Sequence, residues 1–171
     1  MAEHQLHEEF VLLLEKNLGI LLKISKAYTH TVQDREDLVN DIACAMWKAF
    51  PSFKGKSKIS TWIYRIALNT AMNYQKKTRR KRDFLQDAIE FNTNEPSNGI
   101  DSNPHLDLLY ECIAELDDFN KAIILLYLDG YKHEEIAEIT GISRSNVGTR
   151  ILRIKEQLRI MANSKKRYDG T

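Results

Sequence analysis

The chain has 171 residues, 43% of them hydrophobic and 29% charged. That is room for one or two small domains with a modest core, at a balance ordinary for a soluble globular protein. The net charge is only +1, but the total hides a strong segregation of sign, and two cysteines exclude a disulfide framework or a zinc site.

Cys44 and Cys112 lie among apolar helical positions and read as buried thiols of a reducing cytoplasm. The N-terminal MAEHQLHEEF is acidic and polar and predicts no signal peptide. The longest apolar runs, 11–14 and 122–128, are too short to span a bilayer, so a cytoplasmic chain not embedded in a membrane is expected.

The first element is a helix over 5–29, with Leu6, Phe10, Leu13, Leu14, Leu18, Leu21 and Leu22 at helical spacing. Gly19 weakens it by about 1 kcal/mol. A second helix starts at Asp34, a suitable N-cap, with Asp37 adding negative charge in the first turn. Leu38, Ile42, Ala45 and Ala49 form its buried stripe, while Asp37, Asn40, Asp41 and Cys44 lie off it. Pro51 ends it, and 52–59 is a polar loop carrying three lysines.

A third helix is predicted from Ser60 or Thr61 to Arg82. Ile63, Ala67, Thr70 and Tyr74 share one face, and Arg65, Asn69, Met72 and Lys76 another. Residues 54–82 hold Lys54, Lys56, Lys58, Arg65, Lys76, Lys77, Arg79, Arg80, Lys81 and Arg82 and no acid. Phe53, Trp62, Tyr64 and Tyr74 are threaded through or beside them. Cations neutralise phosphates, and aromatic faces stack on unpaired bases. The stretch therefore reads as a nucleic-acid surface, although a solvated basic helix with core aromatics has the same composition. Trp62 suits either a base stacker or, more commonly, a core anchor between helices.

Residues 83–104 are rich in Asn, Ser, Pro and Gly with little apolar periodicity, and predict a linker. Residues 83–118 carry ten acids and no Lys or Arg: Asp83, Asp87, Glu90, Glu95, Asp101, Asp107, Glu111, Glu115, Asp117 and Asp118. The second module starts near His105, with helices marked by Leu106, Leu109, Ile113 and Leu116, then over 120–128, 133–140 and 143–162. No strand pattern or internal repeat is visible.

Residues 133–159 have helix-turn-helix spacing. Ala137 is small where a partner helix crosses, Gly141 suits a left-handed turn, Ile142 plugs the corner and Ser143 caps the next helix. Val147, Ile151, Ile154 and Leu158 make one apolar face there. Ser145, Thr149 and Arg153 point nearly opposite, flanked by Asn146 and Arg150, which is the layout of a recognition helix. A helical hairpin with a charged outer face is the plainer alternative. The five His are scattered without metal spacing, no Ser-His-Asp triad stands out and no phosphate-binding Gly loop exists. Neither a cofactor, a metal nor a small-molecule substrate is expected, and the chain does not read as an enzyme.

Both halves resemble one family. Residues 34–74, DREDLVNDIACAMWKAFPSFKGKSKISTWIYRIALNTAMNY, resemble the second conserved region of bacterial RNA polymerase sigma factors. Residues 131–158, YKHEEIAEITGISRSNVGTRILRIKEQL, resemble their fourth. The region between them in larger sigma factors is missing, as in the extracytoplasmic-function (ECF) group. The resemblance implies an all-α chain of two small helical domains joined by a flexible acidic linker, the second ending in the helix-turn-helix. Domain limits of 1–82, 83–104 for the linker and 105–171 are expected.

The implied partners are core RNA polymerase, promoter DNA as duplex and melted single strand, and an anti-sigma protein. By resemblance, Asp37, Asn40 and Asp41 dock on the clamp coiled coil of the largest polymerase subunit. Lys54, Lys56, Lys58, Trp62, Arg65, Asn69, Asn73 and Lys76 fall in the part that binds the −10 element and holds a flipped base. Arg144, Ser145, Asn146, Thr149, Arg150 and Arg153 fall at the −35 element. Gly148 stands where the family usually has Lys. The linker acids Asp83, Asp87, Glu90, Glu95 and Asp101 are expected either to lie along the polymerase's cationic channel, drawn out in the complex, or merely to solvate a spacer or fold back on the cluster 76–82. An ordinary helix-turn-helix regulator would explain the second module equally, but not the basic, aromatic third helix behind a lysine loop.

Overall fold

Helix-forming apolar periodicity runs through nearly all of residues 2–86 and 103–168, which the computed structural model describes. There the chain forms seven α-helices, one 3-10 turn and no strand. It divides into two compact units, Met1–Ser97 and Asn98–Thr171. Most of the predicted linker, with Asp87, Glu90, Glu95 and Asp101, lies outside the described residues. No helix among the described residues is long and apolar enough to cross a membrane.

The first unit holds α1 (Ala2–Tyr28), α2 (Val32–Ala49), a 3-10 turn (Phe50–Ser52) and α3 (Ile59–Gln86). Each of the three helices packs against the other two. Leu21, Ile24 and Tyr28 of α1, Leu38, Ile42 and Met46 of α2, and Ile63, Tyr64, Ala67, Leu68 and Ala71 of α3 are buried together. The stripe expected on α2 shifts by one position: Met46 is fully buried, while Ala45 and Ala49 are half-buried. The long thioether chain fills space that a methyl cannot reach.

On α1 the sequence carries more leucine than the core takes up. Leu18 and Leu22, expected inside, are exposed beside Val11 and Leu12. At 100° per residue they lie about 60° and 100° around the helix from buried Leu21, outside the sector that α2 and α3 cover. Cys44 is another correction. It is exposed, one turn beyond Asp41 on the polar side of α2, and only Cys112 is buried.

The start of α2 also differs from expectation. Thr31, not Asp34, is the N-cap, and its Oγ1 accepts the Asp34 N–H at 3.0 Å. Asp34 is the third helical residue, and its carboxylate accepts two further hydrogen bonds. Thr31 Oγ1 donates to Asp34 Oδ2 at 2.8 Å, and Tyr74 Oη donates to Asp34 Oδ1 at 2.9 Å. Next to it, Gln75 Nε2 donates to the Tyr28 carbonyl. One carboxylate and one carboxamide thus tie the α1–α2 corner to α3. α3 itself begins at Ile59, before the Ser60 and Thr61 proposed as caps, and runs past Arg82 to Gln86.

The second unit holds α4 (Pro104–Ala114), α5 (Asp118–Leu128), α6 (His133–Thr140) and α7 (Arg144–Tyr168). Pro104, assigned by sequence to the linker, is the first residue of α4 and follows the Asn103 cap. α5 starts two residues before 120 because the Asp117 carboxylate accepts the N–H groups of Phe119 and Asn120. Ala122 to Leu126 of α5 are buried, and α5 and α7 each pack against the other three helices. α7 is 25 residues long and outruns the predicted end at 162. Its last turns are held to α4 by Lys165, 2.7 Å from Glu115 and 3.6 Å from Glu111. The hydrogen bond to Glu115 holds the Lys165 ammonium above the usual lysine range.

Burial, then the hydrogen bond and charge of Asp34, push the Tyr74 hydroxyl up from 10.0 to about 12. The folded state therefore keeps a proton that the unfolded chain releases near pH 10. The Tyr74 contribution to stability is whole below pH 10 and is lost as pH rises from 10 towards 12. Tyr74→Phe should flatten this part of the stability-versus-pH curve relative to wild type, measured by urea unfolding at pH 8 to 11.5. It should cost about 1 kcal/mol at pH 7 through the lost hydrogen bond.

Candidate nucleic-acid interfaces

Two surfaces, one on each unit, carry the residues that the sequence singled out. In the first unit the loop 53–58 turns at Gly55, whose φ of +67° is left-handed and suits a residue without Cβ. Lys54, Lys56 and Lys58 are exposed on it. The loop ends as α3 starts, with Trp62 N–H donating to the Lys58 carbonyl at 3.1 Å. Trp62 is half-buried, its ring 5.0 Å from Phe53 and 6.4 Å from Phe50. The same aromatic cluster continues through Phe10 to Trp47. Trp62 is thus packed in the unit as a core anchor would be, and keeps part of its surface accessible.

Arg65, Asn69, Asn73 and Lys76 are exposed on α3, within about 80° of helical arc. Met72, placed beside them by spacing, is half-buried. On α2, Asp37, Asn40 and Asp41 are exposed, forming an acidic patch one turn long. Of the aromatics threaded through the basic stretch, Tyr64 is buried and Tyr74 holds the α2 corner, so both belong to the packing.

In the second unit Gly141 ends α6 with φ +77°, its N–H donating to the Ala137 carbonyl at 2.8 Å. Ser143 Oγ accepts the Asn146 N–H at 3.3 Å, as a cap should. Val147, Ile151 and Ile154 are buried, which turns Arg144, Ser145, Asn146, Thr149, Arg150 and Arg153 outward, all six exposed. They are not equally available. Arg144 Nε lies 2.8 Å from Glu134 of α6, and Thr149 Oγ1 donates back to the Ser145 carbonyl at 3.1 Å.

Arg150 is held from outside its own helix. Its Nη1 donates to Asn120 Oδ1 at 3.1 Å, and its guanidinium lies 5.2 Å from the centre of the Phe119 ring. Asn120 is fixed in turn by Nδ2 donating to Asp117 Oδ2. The result is a groove of about 480 Å³ lined by Asn120, Ile142, Asn146, Thr149, Arg150, Arg153 and Gln157. Sequence reasoning missed Asn120 and Gln157. Gln157 was within reach, one turn beyond Arg153. Asn120 lies 30 residues from its partner, and nothing in the spacing pairs them.

An open helix-turn-helix in one unit, with an exposed cation-, amide- and aromatic-bearing helix in the other, defines the class as a DNA-binding protein. The family models for Sigma-70 region 2 and Sigma-70, region 4 match residues 13–81 and 106–158. The chain is 35% identical over 137 residues to the ECF RNA polymerase sigma-E factor of Escherichia coli K12, covering 73% of this chain and 72% of the relative. It is 32% identical over 137 residues to the sigma-E factor of Haemophilus influenzae, with the same coverage. Among solved structures, the sigma factor RpoE of Bartonella quintana, in complex with the anti-sigma factor NepR, matches with a TM-score of 0.73 at 21% identity. That match covers 91% of this chain and 98% of RpoE. CnrH, in complex with the cytosolic domain of CnrY, matches with a TM-score of 0.65 at 21% identity, covering 92% of this chain and 90% of CnrH. The chain belongs to the sigma-70 family, in its ECF group, and is a sigma factor for promoter-specific transcription initiation.

Gly148 lies inside the first half of α7, where a Cβ would meet the His133 ring at an ordinary 3.6 Å. Nothing in the packing requires glycine there. Gly148→Ala should raise stability by about 0.5–1 kcal/mol through helix propensity. Thermal unfolding followed by circular dichroism checks this, as a higher melting temperature.

Proposed function

We propose that the two units divide the promoter between them. The first unit, up to about residue 82, takes the −10 element. Arg65, Asn69, Asn73 and Lys76 of α3 contact the DNA there, and Lys54, Lys56, Lys58 and Trp62 hold a base extruded from the stack. Capturing such a base costs a few kcal/mol of unstacking, which contacts in a pocket offset. The second unit, from about residue 105, lays α7 in the major groove of the −35 element. Residues 83–104 join them. Asp37, Asn40 and Asp41 are the docking patch for the clamp coiled coil of the polymerase largest subunit.

The observation that carries this reading is the exposed row Arg65–Asn69–Asn73–Lys76 beside the lysine loop and Trp62. An ordinary helix-turn-helix regulator has no use for that combination. On this reading the protein is cytoplasmic and performs no reaction of its own: strand opening draws on captured bases and polymerase contacts. The neighbour RpoE is described with an anti-sigma factor, and that likeness supports an anti-sigma protein as a further partner here.

Run-off transcription with core polymerase tests the whole reading: the chain should direct initiation from specific genomic fragments. Asp41→Arg reverses one charge on an exposed position. It should weaken competition for core polymerase at least tenfold while circular dichroism stays unchanged, and normal competition by the folded variant would remove the docking assignment. At the −35 surface, Asn120→Ala leaves Arg150 without its hydrogen bond. It should weaken binding to a −35 duplex by about 1 kcal/mol. In combination with Arg150→Ala the two losses should not add, which a double-mutant cycle of duplex affinities measures.

A further inference from the structure

The row Arg65–Asn69–Asn73–Lys76 on α3 rests on two different kinds of support. Arg65 and Asn69 are interleaved with Ile63, Tyr64, Ala67, Leu68 and Ala71, all buried, so apolar packing fixes that half of the row. Asn73 and Lys76 lie past Ala71, and no described side chain of α3 beyond Ala71 is buried. The placement of these two depends on what attaches the helix there.

Two half-buried side chains reach from that stretch to the α1–α2 corner. Tyr74 Oη donates to Asp34 Oδ1 at 2.9 Å, and Gln75 Nε2 donates to the Tyr28 carbonyl. Measured around α3 from Arg65, Lys76 lies at about 20°, Asn69 at about 40°, Asn73 at about 80° and Tyr74 at about 180°. Tyr74 thus continues the inner side of the helix for one more turn, behind the outward row. The contact there is polar where the apolar ones have ended. Apolar groups slide on one another at little cost, whereas a hydrogen bond weakens steeply away from its preferred angle.

The acceptor is itself held in place. Asp34 is in the first turn of α2, where the helix dipole favours a carboxylate. Its second oxygen accepts from Thr31 Oγ1 at 2.8 Å, and Thr31 Oγ1 accepts the Asp34 N–H at 3.0 Å. Both carboxylate oxygens are therefore used, which fixes its orientation toward Tyr74. The Tyr74 hydroxyl, pushed up to about 12 by burial and then by Asp34, remains a donor at neutral pH. Asp34 also lies within about 60° of helical arc of Asp37 and Asp41. The helix that carries the acidic patch thus carries the attachment point for the far half of the α3 row.

We infer that Asp34 and Tyr74 are positioning residues for promoter reading: their hydrogen bond sets where Asn73 and Lys76 meet the −10 strand. This rests on the assignment of α3 to the −10 element. Neither side chain contacts DNA itself. Asp34 carries the wrong charge for a phosphate, and Tyr74 points away from the readers. Their effect passes through the rotation and direction of α3 past Ala71.

The test uses holoenzyme assembled with each variant and a single strand carrying the −10 sequence of a promoter found by run-off transcription. Tyr74→Phe keeps the ring and removes the hydroxyl. It should weaken strand binding about fivefold, the worth of one hydrogen bond. Core affinity and circular dichroism should stay at wild-type levels. A variant that had lost only stability would remain almost wholly folded and bind the strand normally, so unchanged strand affinity overturns the role. Asp34→Ala should lose about as much as Tyr74→Phe, and the two together no more than either. Asp34→Asn keeps an oxygen that accepts from Tyr74 and should bind like wild type. In double-mutant cycles the loss from Tyr74→Phe should overlap with that from Lys76→Ala and multiply with that from Arg65→Ala, because packing alone holds Arg65. Equal coupling to both overturns the inference. So does a loss of core affinity, which would move the corner into the docking surface. If Lys76→Ala and Arg65→Ala each bind the strand like wild type, the −10 assignment itself falls, and the positioning role with it.

Discussion

Burial of Ile63, Tyr64, Ala67, Leu68 and Ala71 against α1 and α2 sets the rotation of α3 about its axis. Every exposed position on that helix follows from it. The large aliphatic side chains among them, Ile63 and Leu68, are each worth about 1.5–3 kcal/mol, so no single surface contact can turn the helix. Arg65, Asn69, Asn73 and Lys76 are outward because these five are inward. The Thr31–Asp34–Tyr74 hydrogen bonds and the Gln75 contact to Tyr28 then fix α3 against the α1–α2 corner, one turn beyond the last buried residue.

The second unit solves the same problem with a narrower seam. Val147, Ile151 and Ile154 bury one side of α7 on the very apolar α5 and on α6, and the left-handed Gly141 sets the angle of approach. Position along the helix then decides how much freedom each outward residue keeps. Arg150 is held by neutral groups, an amide and an aromatic ring, which orient it without neutralising its charge. Arg159 and Lys165, further along, are paired with Glu156 and with Glu115 and Glu111. In the N-terminal half of α7 Arg144 is paired with Glu134 while Arg150 keeps its charge, and the pairs of Arg159 and Lys165 lie further along.

A net charge of +1 says nothing of this division. Association with nucleic acid depends on local potential over the contacting face, which segregation along the chain creates while the total stays near zero. On α3 Lys76, Lys77, Arg80 and Lys81 are exposed, with like charges one turn apart. The exposed acids Asp37 and Asp41 of α2, with Asn40 beside them, form a patch of opposite character in the same unit.

Helical periodicity determined that helices are present, roughly where they lie and which side of α3 and α7 faces outward, because a 3.6-residue repeat is a local property. The turn at Gly141 and the Ser143 cap were legible for the same reason. The N-cap of α2 was not, because Thr31 and Asp34 are both good capping residues and the bond from Tyr74, 40 residues away, belongs to packing. Nor was the exposure of Leu18 and Leu22, since an apolar residue's fate depends on which sector its neighbours cover; Cys44 was placed off the α2 stripe by spacing, and only its composition suggested a buried thiol. The anchoring of Arg150 by Asn120 and Phe119 was likewise decided only in three dimensions. Contacts distant in sequence, and the limits of a core, have no period to read.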